Sequence, residues 1–169
     1  MHILMCNDDG ILADGLRQLA TYLSQYYRVT VVAPATEQSA KSHALTTEIP
    51  LKLDAYNGED ENPRLYALTG TPSDCMKFGL SYLLADDMPD LVISGINHGF
   101  NLGSDVLYSG TVSAAMESAF YGIPGLALSV ERYSIERGHE MHPFIHDLIE
   151  KIYVNGNFEG LLNVNFPLR

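Results

Sequence analysis

The strongest constraint on this chain is a strand, helix, strand alternation that begins at its second residue. His2 to Cys6 (HILMC) is a short apolar run closed by Asn7, Asp8, Asp9 and Gly10, the pattern of a buried strand. Leu12, Leu16, Leu19 and Leu23 then recur at helical spacing, and Arg28 to Pro34 (RVTVVAP) is a second β-branched run that stops at proline. The unit has the length of a parallel crossover, which places the Asn7–Gly10 corner at the C-terminal end of the first strand.

The alternation continues. Ile49, Leu51 and Leu53 alternate as in a half-exposed strand, and LYALTG reads as another. Thr71, Pro72 and Asp74 spell a capping box with proline at the first helical position, and Met76, Leu80, Leu83 and Leu84 form the inward face of the helix that follows. PDLVISG is apolar on both faces, as a central parallel strand must be, and it opens into a loop from Ser94 to Asn101. Val112, Ala115, Met116, Ala119 and Phe120 mark an amphipathic helix ended by Gly122 and Pro124, and GLALSV is the next strand. A last helix, opened by Pro143 and carrying Ile145, Leu148, Ile149 and Ile152, leads to a final strand, LLNVNF. The expected fold is a Rossmann-like, doubly wound α/β/α domain around a mostly parallel sheet, with ligands beyond the strand C-termini.

Composition removes several classes of function. Ten Lys and Arg against 21 Asp and Glu give a net charge of -11, with no basic cluster, so a long nucleic acid is not an expected partner. Cys6 and Cys75 lie in apolar segments without CxxC spacing, which reads as packing in a reducing, cytoplasmic setting. No apolar run approaches the roughly 18 residues that would span a bilayer, so no membrane association is expected. His139, His142 and His146 lack a carboxylate or cysteine to complete a metal geometry, and Pro143 among them is read instead as the start of the last helix.

Four polar segments follow predicted strands and converge on one rim: Asn7–Gly10, the stretch around Ser39, Thr69–Asp74 and Ser94–Asn101. Asp8 and Asp9 held together raise each other's pKa unless a cation compensates, and a hard divalent ion is the direct compensation. Ser39 and the Asn97 amide supply neutral oxygens suited to Mg²⁺ or Mn²⁺. The competing reading makes the aspartates N-caps of the first helix. Ser109, Gly110 and Thr111 precede a helix, where backbone N–H groups and hydroxyls can cradle a phosphate or simply cap the helix. His98 is either a general acid or an exposed loop residue. Neither GxxxxGK[ST] nor GxGxxG is present, which disfavours a kinase P-loop and a dinucleotide cofactor.

Through NDDG, EQSAKSH, TGTPSDC, the block SGINHGFNLGSDVLYSGTVSAAMESAFYGIP, and LNVNFP, the sequence resembles the survival protein E (SurE) family of metal-dependent nucleoside monophosphate phosphatases. The resemblance implies one divalent cation on Asp8, Asp9, Ser39 and Asn97. It implies a substrate phosphate at Ser109, Gly110 and Thr111 with Asn101 nearby, and catalysis by Asp8, Asp9, Asn97 and His98. The substrate would be a nucleoside 5′- or 3′-monophosphate, attacked by water or by an aspartate. The alternative is a nucleotide or phosphate sensor without turnover. The family continues past LNVNFP into segments that build its oligomers; residues 1–169 are expected to be one domain without that extension, and a homodimer or homotetramer is the expected assembly.

Overall fold

A computed structural model describes residues 1–132 and 134–167. Seven strands form one sheet: β1 (His2–Cys6), β2 (Arg28–Pro34), β3 (Leu53–Ala55), β4 (Arg64–Leu68), β5 (Leu91–His98), β6 (Gly125–Val130) and β7 (Leu161–Phe166). Their order is β3-β4-β2-β1-β5-β6-β7, and every pair is parallel except β3 with β4. From β1 the chain builds outward through β2 and β4, then returns to lay β5 on the other side of β1. The topological switch therefore falls between β1 and β5, where a doubly wound sheet opens a crevice beyond its strand ends.

Period-2 alternation sorts side chains to the two faces. Ile3 and Met5 of β1, Val29 and Val31 of β2, and Ile93 of β5 meet helices α1 (Asp14–Leu23) and α4 (Ile135–Ile149) through Leu16, Leu19, Leu23, Ile145 and Ile149. Leu4, Cys6, Val32 and Val92 point the other way, onto α2 (Pro72–Phe78) and α3 (Gly110–Glu117) through Cys75, Met76 and Ala114. The result is the expected three-layer α/β/α domain. The Thr71–Asp74 capping box forms as the sequence predicts, each partner bonding the other's backbone.

Several boundaries differ from the sequence reading. Leu12 lies in a turn closed by Ala13 N–H to the Gly10 carbonyl (3.0 Å), so α1 begins only at Asp14 and Leu12 is 61% exposed. Ile49 is exposed and outside any strand; Pro50 after it has no N–H to donate, and β3 is limited to the three residues that pair with β4. β5 runs on to His98 where a loop was expected, because Gly95, at φ 134°, absorbs a register shift and lets Asn97 and His98 resume pairing with Ser129 and Val130. In α3 the anticipated stripe breaks: Val112 and Ala115 are buried, but Met116, Ala119 and Phe120 face outward while Glu117 and Ser118 are buried. The helix tightens into a 3₁₀ turn over Ser118–Tyr121, and Glu117 is met by His43. Pro143 sits inside α4 rather than at its start, which Ser134 caps by accepting from Arg137 N–H (3.3 Å).

Candidate active site

The corner after β1 is built by Asn7. Its buried carboxamide donates to the Gly10 carbonyl (3.0 Å) and accepts from Gly10 N–H (3.1 Å), closing a tight Asx-type turn with Asp8 and Asp9 at its tip. Gly10 takes φ 100° and lies against Pro34 and Thr36, so the corner packs on the end of β2. Because the Gly10–Ala13 turn separates the aspartates from α1, whose N-cap is Ala13, neither carboxylate caps that helix. The capping alternative for Asp8 and Asp9 is thereby corrected.

The two carboxylates differ. Asp8 is 6% exposed and accepts a hydrogen bond from Thr111 Oγ1 (2.7 Å), at the start of α3. Burial pushes its carboxyl above the ordinary range while the Thr111 hydroxyl pulls it back. Asp9 accepts no hydrogen bond among the described residues. Burial, followed by the charges of Asp8 and Glu37, pushes it up to about 6. Glu37 is the acidic neighbour that sequence reasoning missed, and its signal was its place two residues before Ser39.

The start of α3 closes on this corner. A Cβ on Gly110 would lie 3.1 Å from Asp8 Cβ, 3.3 Å from Asp8 Oδ2 and 3.3 Å from Pro72 Cγ, so the missing side chain allows the helix end to reach the carboxylate. Ser109 Oγ accepts from Val112 N–H (3.1 Å), which realises the capping role and leaves its own O–H free to donate. Gln38 N–H donates to the Asp8 carbonyl (2.7 Å), bringing the next segment alongside, where the exposed Ser39 Oγ donates to Glu37 Oε1 (2.7 Å). Asn97 leaves β5 three residues after Ser94, which pairs with Cys6 of β1; its amide donates to the Gly99 carbonyl (2.8 Å), so its oxygen stays available. His98 is exposed at the strand end. Asn101 is buried, with its amide committed to Ser129 Oγ (2.8 Å) and its N–H to Asn165 Oδ1 (2.9 Å). That gives it a part in fixing the loop after β5.

The corner after β1 and the start of α3 thus bring Asp8, Asp9, Gly110 and Thr111 into direct contact or adjacency, with the Ser39 segment joined to the corner through Gln38 and Asn97 near the end of β5, beside β1. Every donor is a hard oxygen. No three His, Cys, Asp or Glu side chains gather as a ligand set among the described residues, so a cation here would rest on two carboxylates and neutral oxygens.

A family model described as Survival protein SurE matches residues 3–169. The chain belongs to the SurE family. The relative named 5′-nucleotidase SurE from Thermoanaerobacter sp. (strain X514) is 50% identical over 168 residues, covering 99% of this chain and 66% of the relative. One of the same name from Caldanaerobacter subterraneus subsp. tengcongensis is 50% identical over 167 residues, covering 98% of this chain and 65% of its own. The crystal structure of the SurE protein from Aquifex aeolicus superposes with a TM-score of 0.87 at 40% identity, covering 100% of this chain and 67% of that one. The chain therefore spans slightly less than two thirds of the length of these curated SurE relatives. No helix among the described residues is long and apolar enough to cross a membrane.

Proposed function

We propose that this chain hydrolyses nucleoside 5′-monophosphates, and 3′-monophosphates by the same chemistry, to nucleoside and phosphate, using one Mg²⁺ or Mn²⁺ ion. The observation that carries the reading is the Asp8/Asp9 pair: two adjacent carboxylates, Asp8 buried and Asp9 half-buried, the latter without a hydrogen bond among the described residues and pushed up to about 6. Such a pair opposes an anionic substrate unless a cation neutralises it. The names of the relatives, 5′-nucleotidase SurE, support the substrate class.

Asp8, Asp9, Asn97 and Ser39 would hold the cation, which when bound supplies positive charge against the phosphoryl oxygens. Ser39 would turn its hydroxyl from Glu37 to do so. Thr111 orients Asp8 by its hydrogen bond. The free N–H groups at the start of α3 and the Ser109 hydroxyl stabilise the equatorial oxygens. A water attacks phosphorus in line as the P–O bond to the ribose breaks; Asp9 accepts the water's proton, and His98 delivers one to the leaving oxygen.

The test is phosphate release from AMP and 3′-AMP with Mn²⁺, with and without a chelator. Release that stops on chelation is expected. AMP binding with no release under any divalent ion would replace this reading with a nucleotide sensor.

A further inference from the structure

The segment that carries Ser39, residues 35–52, has no helix or strand of its own, and Ala40 and Ser42 hold left-handed φ values of 57° and 53°. Residues with a Cβ keep that conformation only where their surroundings fix it. Its ends are held to the end of β4 and the residue after it by Ala35 N–H to the Leu68 carbonyl (2.9 Å) and Lys52 N–H to Thr69 Oγ1 (2.8 Å), and hydrogen bonds to other segments hold the stretch between them. Gln38 N–H reaches the Asp8 carbonyl, Ser42 Oγ donates to the Leu107 carbonyl (2.9 Å), and Thr71 Oγ1 donates to the Ala44 carbonyl (2.7 Å). Thr46 donates through N–H (2.9 Å) and Oγ1 (2.7 Å) to Asp74.

One further contact joins ionisable groups: His43 Nε2 meets Glu117 Oε1. The Glu117 side chain is 5% exposed, and His43 is its only hydrogen-bond partner among the described residues. Glu117 belongs to α3, the helix whose first turn gives Thr111 to Asp8. A carboxylate at such depth is expensive unless partnered, and a turn that served packing alone would carry an apolar residue there. Phe120, 77% exposed, lies beside the His43 ring with centroids 6.3 Å apart, which accounts for a large apolar group on the outside of this turn.

We propose that His43 and Glu117 are a positioning pair that fastens the Ser39 loop to α3. With Gln38 tied to Asp8, and His43 to α3 beside the hydrogen bonds at Ser42, Ala44 and Thr46, Ser39 and Glu37 are kept beside Asp9. The pair touches neither substrate nor cation; it acts through the loop. This rests on the Asp8/Asp9 rim being the cation site proposed above.

The test compares wild type, His43→Ala, Glu117→Gln and His43→Ala/Glu117→Gln by three readouts: amide hydrogen exchange over residues 38–47, Mn²⁺ affinity from the electron paramagnetic resonance signal of free Mn²⁺, and kcat and KM for AMP. For His43→Ala, exchange over 38–47 is expected to quicken while β1 and β5 stay protected, and the Mn²⁺ Kd to rise about tenfold, the scale of a lost supporting contact. Saturating Mn²⁺ should restore kcat. Glu117→Gln keeps an acceptor for His43 and should change the Kd less than about threefold, and the double variant should bind Mn²⁺ no worse than His43→Ala alone. Should His43→Ala fail to fold, His43→Gln carries the same measurements, with about a threefold rise in Kd expected. An unchanged Kd and unchanged exchange over 38–47 would overturn the pairing, even if melting temperature falls. Wild type that binds Mn²⁺ but releases no phosphate sinks only the nucleotidase reading; wild type that binds no Mn²⁺ sinks both.

Discussion

The two ends of the sheet treat buried ionisable groups in opposite ways. At the N-terminal end, His2 is as deeply buried as Asp8 yet has its polar atoms engaged: Arg28 donates to Nδ1 (2.8 Å), which leaves Nε2–H to Thr30 Oγ1 (3.0 Å), and its backbone N–H reaches Asp90 (2.7 Å). Arg28 also pairs with Asp87 at 2.7 Å and holds that carboxyl below the ordinary range. At the C-terminal end, among the described residues, Asp8 has one hydroxyl donor and Asp9 has none. One end spends its polar groups on the fold, and the other holds them in reserve for a ligand. A protein gains no stability from such a reserve, so the contrast itself locates chemistry.

The contrast breaks first at Asp9. Asp9→Asn should cut phosphate release from AMP by at least about 1,000-fold, because under the proposed function it removes both a cation ligand and the proton acceptor. The same variant should unfold at a higher temperature than wild type in chelator, having lost a charge that burial and Asp8 disfavour. Retained activity would exclude this carboxylate from the mechanism. Thr111→Val tests the reserve more gently. Loss of the hydrogen bond to Asp8 is expected to lower kcat/KM by about 10- to 100-fold and stability in urea by about 1–2 kcal/mol. Ligand linkage gives a third measure: Mn²⁺ at a hundred times its Kd should stabilise wild type by about 2.7 kcal/mol in calorimetry, and Asp9→Asn hardly at all.

The smallest effect belongs to the opposite end. Burial and then the Arg28 charge lower the pKa of His2 below 6.5, so the unfolded chain binds the proton more readily. Stability from this group is complete above pH 6.5 and is lost as pH falls below it. His142, pushed down to about 4 by burial, adds a loss of the same sign between pH 6.5 and 4. His2→Gln should therefore flatten, without abolishing, the acid-side fall in melting temperature, and leave AMP hydrolysis within about twofold of wild type. A drop in activity comparable to that of Thr111→Val would erase the distinction between the two ends.

What was legible in the sequence followed from local rules. The strands at His2–Cys6 and Arg28–Pro34, the Thr71–Asp74 cap and the convergence of polar corners all rest on neighbours in the chain. The Asp8/Asp9 pair could be singled out because two carboxylates ending an apolar run are hard to explain by capping alone. What escaped depended on distant partners. Nothing near Glu117 in the sequence says that His43 will meet it, so the expected α3 stripe holds at Val112 and Ala115 and fails at Met116, Ala119 and Phe120. Likewise the commitment of Asn101 to Ser129 and Asn165 is invisible until β5, β6 and β7 are side by side. Glu37 lies within the EQSAKSH motif, but its influence on Asp9 comes from the approach of two segments that meet through Gln38 and Asp8 and through Ile11 and Pro34.

The tether from β7 bears on the order in which this molecule is made. Asn163 and Asn165 both donate to the Asn101 carbonyl (2.9 and 3.2 Å), so the turn following β5 is held by β7, which leaves the ribosome after the other six described strands. A nascent chain released as far as β6 already owns its aspartates, its helix starts and most of its core, yet it lacks the crossbar that sets this turn. The shape of this turn is in this sense settled late, by two amide side chains more than 60 residues farther along the polypeptide.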